Sequence, residues 1–290
     1  MPAAPVRPSR HPIAPDTDER LLSAVIPAYD ALPPYEQSLV RQLGCHPGTH
    51  FTRLQACALS GMPTEAVTVD AALINMLEAR LIRRTADGHF AFYDDTVRTH
   101  AHQLADAAGR ETEPAERRLY EHYLLSAAEA ARLLGSGRNR LQRRYKSPGP
   151  IVGECFDGHE MAWNWMLGEQ TALRNGLRRT ALVYPDLHWQ LVDELWVLWQ
   201  RQPDHQWAME AHHTGLQAAR ACGDQAGIVR ILTSYSVIAH PIDPELGDDL
   251  LRQVREHGTR IGEDTLPRSG CSTSSTTPLS PSEGRRHASA

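Results

Sequence analysis

"HFAFYDDTVRTHAHQLA", residues 89–105, decides how this chain is read. Phe90 and Phe92 alternate with smaller residues, which is the period of a strand. Two residues later Asp94 and Asp95 lead into a segment with helical spacing. Just upstream, Ala86-Asp87-Gly88 is a turn signal between "LIRRT" and "HFAFY", so residues 81–93 read as a β-hairpin. The joint between hairpin and helix could hold catalytic carboxylates, present a DNA-reading surface, or act as a hinge. Adjacent aspartates at such a joint most often serve as N-cap and first-turn residues, where they accept backbone N–H bonds and favour the helix dipole.

Working backwards, the chain reads as helices. "DERLLSAVIPAYDAL" sets Leu22, Val25, Ile26 and Tyr29 on one stripe, and Pro27 is expected to kink or end that helix. Pro33 and Pro34 start a second helix, which Gly44 stops. "FTRLQACALSG" is a short helix closed by Gly61. "PTEAVTVDAALINMLEARLI" is a longer one, opened by Pro63 and Thr64, with Val67, Ala71, Ile74, Leu77 and Leu81 inward. Helices followed by a hairpin are the pattern of a winged helix, with the hairpin as the wing and residues 95–109 as the exit helix.

Working forwards, Glu113 to Leu134 is a long helix with Tyr120, Tyr123, Leu124, Ala127 and Ala131 on one face. Residues 135–155 are basic, rich in glycine and proline, and read as a linker. Beyond it lie blocks of about one helix each: 158–184, 186–202, 204–223, 224–240 and 243–262. Gly176-Leu177 and Gly215-Leu216 lie 39 positions apart, as do Gly223 and Gly262. These blocks read as degenerate tetratricopeptide-like repeats, although the spacing exceeds the usual period of about 34. The predicted fold is therefore mainly α: a winged-helix domain with a small β-hairpin, then an α-solenoid. Its divisions are a disordered N-terminus (1–17), the winged-helix-like domain (18–110), a helix and basic linker (111–155), the repeats (156–264) and a disordered tail (265–290). The Ser/Thr/Pro-rich tail is either natural or the out-of-frame ending of a longer gene.

Composition narrows the function classes. The 290 residues carry a net charge of −5, so nothing global draws the chain to nucleic acid or an acidic membrane. Lys146 is the only lysine, and no G-x-x-x-x-G-K-[ST] or G-x-G-x-x-G occurs, so no nucleotide cofactor is expected. The five cysteines form no C-x-x-C pair, which points to a reducing cytosol. No apolar h-region or membrane-length run is present, so a cytoplasmic protein is expected. His159 and Glu160 begin an H-E-x-x-H, but Trp163 stands where the second histidine should be. His100/His102 and His212/His213 diverge on their helices, and no metal site is expected. G-x-S-x-G is absent, and Cys45-His46 reads as a loop pair rather than a dyad, so no catalytic residue is assigned. Residues 64–80 would be the DNA-recognition helix, but Glu65, Asp70 and Glu78 stand against Arg80 alone, which disfavours DNA. Trp189, Trp196, Trp199 and Trp207 are either helix–helix packing or a partner surface.

"AVIPAYDALPPYEQSLVRQLGCHPGTHF", residues 24–51, resembles the segment after the nucleotide-binding module in actinobacterial NB-ARC (STAND-type) regulators, including antibiotic-regulatory-protein transcriptional activators. Tyr29, Leu32, Leu43, His46, Pro47, Gly48 and Phe51 match its "SY-x-x-L" and "L-x-x-H-P-G-x-x-F" pattern. "GHFAFYDDTVRTHAHQLA" matches the family's "F-H-D-x-x-R-x-x-A" region, after which tetratricopeptide repeats usually follow. The resemblance implies a winged helix that packs on a nucleotide-binding module, here on another chain, and repeats that sense a partner or ligand. It implies a non-enzymatic regulatory role in transcription and signal transduction. The alternative is a stand-alone winged-helix DNA-binding regulator. Two departures stand out. The family's nucleotide-contacting histidine is replaced by Asp94 before Asp95, or by Tyr93 before Asp94 with a one-residue insertion. The nucleotide-binding core is also missing. The joint then reads as a degenerate latch. With neither P-loop nor latch histidine, calorimetry should detect no ATP or ADP binding, and micromolar affinity would overturn this.

Overall fold

A computed structural model of the chain describes residues 17–64, 66–135, 139–202 and 204–265, with side chains between 24 and 258. The N-terminal and C-terminal stretches expected to be disordered lie almost wholly outside it. The described residues are mainly helical, with one two-stranded antiparallel sheet.

Helix α1 (Thr17–Asp30) runs through Pro27 rather than ending there. The ring offers no N–H to the helix, and Val25 and Tyr29 are buried on either side of it. Ile26, expected inward, is 44% exposed. α2 (Pro34–Leu43) starts at its prolines and stops at Gly44. α3 (Arg53–Ser60) opens on a capping box, in which Thr52 Oγ1 accepts from Gln55 N and Gln55 Oε1 accepts from Thr52 N. Gly61, at φ +72°, closes it in the left-handed region.

α4 (Val67–Glu78) departs from expectation. Ala66 N donates to Pro63 O ahead of the helix, and the inward set is Val69, Ala72, Leu73 and Met76. Val67 is 76% and Ile74 51% exposed, Ala71 is exposed and Leu77 half-buried; only Leu81 is buried as expected. Both sets obey helical spacing, so periodicity allowed two phases. The phase adopted faces Leu73 and Met76 inward and leaves Ile74 exposed.

Strands β1 (Ile82–Arg84) and β2 (Phe90–Phe92) pair with Ile82 opposite Phe92 and Arg84 opposite Phe90. Gly88, at φ +85°, makes the turn. Phe51 adds a bridge to the free edge of β2, exchanging backbone bonds with Phe90 at 2.7 and 2.8 Å, and the two rings stack. Phe90 and Phe92 are both buried. At the joint, Asp94 caps α5 (Asp95–Ala108), accepting from Val97 N at 2.9 Å. Asp95 is the first helical residue and pairs with Arg98 in solvent.

α6 (Glu113–Leu134) is the axis of the molecule, packing on α3 as well as on the later helices. Two blocks expected as single helices are each broken: 158–184 into α7 (His159–Gly168) and α8 (Gln170–Val183), 186–202 into α9 (Pro185–Glu194) and α10 (Trp196–Arg201). Each break falls where a residue turns inward, Glu169 in the first and Leu195 in the second. α11 (His205–Ala221), α12 (Gln225–Ala239) and α13 (Pro244–Thr265) follow. α11 and α13 start 39 residues apart, each with an aspartate accepting from the N–H three residues on: Asp204 from Trp207 and Asp243 from Leu246. Gly176 in α8 and Gly215 in α11 do similar work. A Cβ there would press on the Tyr120 ring of α6 or on Val192 of α9. The basic segment 139–155 has no regular secondary structure, yet it is bound along α6 and α9. One continuous apolar core runs from Val25 to Leu250.

The hairpin joint gives a stability test. Phe92→Ala should cost about 3–5 kcal/mol, Asp94→Ala about 1 kcal/mol through the lost cap, and Asp95→Ala least, because Asp95 itself is exposed. Denaturant melts should return that order; Asp95→Ala as the most damaging would refute it.

Candidate functional site

α6 is buried nearly all round, so the polar residues on it need partners from other elements. Tyr123, fully buried, is reached by a chain of hydrogen bonds from the turn after α2. His46 Nδ1 accepts from Gly48 N at 3.1 Å, which leaves Nε2 carrying the proton and facing Gln55 Oε1 at 3.2 Å. Gln55 Nε2 donates to Tyr123 Oη at 3.2 Å, and Tyr123 Oη donates to Glu169 Oε2 at 3.0 Å. Two residues of the resembling "H-P-G" turn thus have structural work here. His46 anchors the turn, and Gly48 is closely packed: a Cβ there would press on the His46 ring at 3.0 Å and on Ala172 at 3.1 Å. Pro47 C=O accepts from Asn175 on α8.

Next to this chain, His122 Nδ1 lies 2.9 Å from Val152 O and donates to it; Glu154 N donates to Ser126 Oγ at 2.9 Å. Burial pushes the Glu154 and Glu169 carboxyls up and Tyr123 well above its ordinary value.

At the N-terminal end of α6 a cleft of about 690 Å³ opens between α5, α6 and α8. Its floor is an ion pair: Arg179 Nε and Nη2 contact Glu116 Oε1 and Oε2 at 2.7 and 3.1 Å, and Tyr184 Oη lies 3.0 Å from Oε2. The Glu116 carboxylate holds the Arg179 guanidinium above the usual arginine range, and burial raises Tyr184. Cys45 lines the same cleft, but burial pushes its thiol up to about 11, so it stays protonated at neutral pH. Both His46 nitrogens are engaged elsewhere, so it does not act as a base for that thiol. The cleft is a polar recess with its strongest charges already paired.

The residues singled out in the sequence fall elsewhere. Asp94 and Asp95 are a cap and a surface ion-pair member. Trp189, Trp196, Trp199 and Trp207 are 3–8% exposed, so as folded they are helix packing and not a partner surface. Trp199 meets Trp207 edge-on at 5.5 Å, and Arg143 lies over Trp189. Glu121, His122 and Glu169 carried the only warning available: charged or ionisable residues set among apolar ones in helical spacing. Among the described residues no group of three or more His, Cys, Asp and Glu is placed to hold a metal, and no helix is long and apolar enough to cross a membrane. No protein-family model, curated protein or solved structure matches the chain.

The buried histidines set a pH dependence. Burial lowers His46, His122 and His188 to about 4 each, whereas an unfolded histidine titrates near 6.5. Between these values the unfolded chain takes up protons that the folded chain refuses. Their contribution is complete above pH about 6.5 and is lost as pH falls toward 4. Glu154 and Glu169 act in the opposite sense, since folding raises their affinity for protons and acid relieves their cost. Stability should decline below pH 6.5 by on the order of 1 kcal/mol per pH unit for each histidine, less the carboxyl offset. His188→Gln should flatten the decline, as His188 faces only the hydroxyls of Thr180 and Thr214. Urea midpoints measured from pH 7 to 4.5 that stay level would overturn it.

Proposed function

We propose that the chain is a non-enzymatic regulatory and protein-interaction element, of the kind found in NB-ARC-type transcriptional regulators. Residues 18–110 form its winged helix, and 156–264 form tetratricopeptide-like repeats that sense a partner or ligand. The order of α2, α3, α4 and the hairpin supports the first assignment. The recurrence of an aspartate-capped helix at 39 residues, with a close-packed glycine in α8 and again in α11, supports the second.

The observation that carries the reading is the outward face of α4. This is the helix that a DNA-binding winged helix would set in the major groove, and its sequence VTVDAALINMLE holds no basic residue. Its one acid in the first turn, Asp70, is taken up by Arg53 at 2.5 and 2.8 Å. The exposed residues of α4 are Val67, Thr68, Ala71, Ile74, Asn75 and Glu78, and the apolar Val67 and Ile74 among them suit this face to another protein. From the family resemblance, that protein is a nucleotide-binding module on another chain. The rival, a DNA-binding regulator, would rely on the exposed Arg83 and Arg84 of the hairpin for phosphate contacts.

Two measurements separate these. The chain should co-elute with an NB-ARC nucleotide-binding module from the same genome, and Val67→Glu with Ile74→Glu should abolish co-elution. Because both side chains are exposed, each change should alter stability by no more than about 0.5 kcal/mol. Gel shifts at about 50 and 150 mM salt should show no retardation of duplex DNA, whereas DNA binding with a steep salt slope would replace this reading by its rival.

A further inference from the structure

Residues 139–147 turn back along α6 without helix or strand. Leu141, Arg143, Tyr145 and Ser147 are half-buried, whereas Gln142, Arg144 and Lys146 are exposed. A period of two marks an extended chain laid on a surface. Here no neighbouring strand supplies the backbone bonds; side chains do. Arg144 N donates to Gln190 Oε1 at 2.8 Å, and Gln190 Nε2 donates back to Arg144 O at 3.4 Å. Lys146 N and Ser147 N donate to Glu121 Oε1 at 2.7 and 3.2 Å.

Charge then selects the side chains. Arg143 contacts Glu194 at 2.5 Å and Asp193 at 2.6 Å, and all three side chains are at most 8% exposed. Those two carboxylates outweigh the cost of burial and keep the guanidinium protonated. Lys146 reaches Asp186 at 2.8 Å and Arg144 reaches Asp224 at 3.1 Å. Glu121, Asp186, Asp193 and Glu194, with Asp224 at the start of α12, outnumber the groove's own Arg117 and Arg230, so the groove is net acidic and its occupant is basic.

A carboxamide that pairs with both the N–H and the C=O of one residue reads main chain without reading sequence, as sites for extended peptides do. Nothing in that set of contacts requires the occupant to belong to the same chain. We infer that the α6–α9 groove is a binding site for an extended basic peptide and that residues 139–147 are its tethered occupant. A partner protein displaces the strap by presenting an extended segment with an arginine and, two residues on, an aromatic side chain. This names the partner class for the helical half and rests on the reading of that half as a sensing element. It needs no nucleotide-binding module, so its failure and the failure of the α4 reading are told apart.

A tethered occupant outcompetes a free one through its high effective concentration, so the strap must be loosened to expose the site. The test is fluorescence anisotropy with a labelled peptide NRLQRRYKSP, the sequence of residues 139–148, on the full chain. Arg143→Ala protein should bind it at least about tenfold more tightly than unaltered protein, as removal of the competing arm requires. Adding Gln190→Ala should erase that gain, and a peptide with alanine at the position of Arg143 should not bind. If Arg143→Ala does not fold because Asp193 and Glu194 lose their counter-charge, Arg144→Ala with Lys146→Ala replaces it and is read in the same way. The inference is overturned if a folded loosened variant binds no peptide. It is equally overturned if binding matches that of unaltered protein and ignores Gln190, which would mark diffuse charge attraction.

Discussion

One constraint organises this molecule: α6 is buried on nearly every side and yet carries Glu116, Glu121, His122, Tyr123 and Ser126. A buried polar group left without a partner costs about 1–3 kcal/mol, more if charged. Each of these groups recruits a different part of the chain. Glu116 takes Arg179 and Tyr184, Glu121 takes Arg117 and the strap's main chain, and His122 takes the Val152 carbonyl. Tyr123 takes Gln55 and Glu169, and Ser126 takes Glu154. The non-helical segments of the molecule are thus placed by the polar demands of one helix.

That arrangement joins the two parts of the chain more firmly than a linker would. His46 and Gln55 come from the region before the hairpin, Glu169 from the helices after the strap, and they meet on Tyr123. A displacement of one part against the other would leave several buried groups unsatisfied at once. The strap between Asn139 and Ser147 is held differently: side chains of Gln190, Glu121 and Arg230 bind its backbone, and Arg144 and Lys146, although paired, stay largely exposed.

Much of the local structure was legible in the residues. The turn at Asp87-Gly88, the prolines before α2, the left-handed glycine after α3 and the long span of α6 are signals confined to a few neighbouring residues. The alternation of Phe90 and Phe92 gave their burial. The site was far less legible. Tyr123 could be placed on the inner face of α6, but not its bonds to residues that are tens of positions away in either direction. The aspartate pair was recognisable as cap and first turn, and the structure makes Asp94 the cap and Asp95 the first helical residue.

The sequence by itself determined a mainly helical chain with one hairpin, because helical and strand periods, caps and turn residues act through steric and hydrogen-bond effects within a turn or two. Tertiary structure alone decided which of two apolar stripes on α4 faced inward, and that α1 could carry Pro27. It also broke two helices at Glu169 and Leu195 and drew a basic segment into an acidic groove. Each of those outcomes turns on the free energy of burying or pairing a group against a partner distant in sequence. Such a term has no local periodicity by which it could be read.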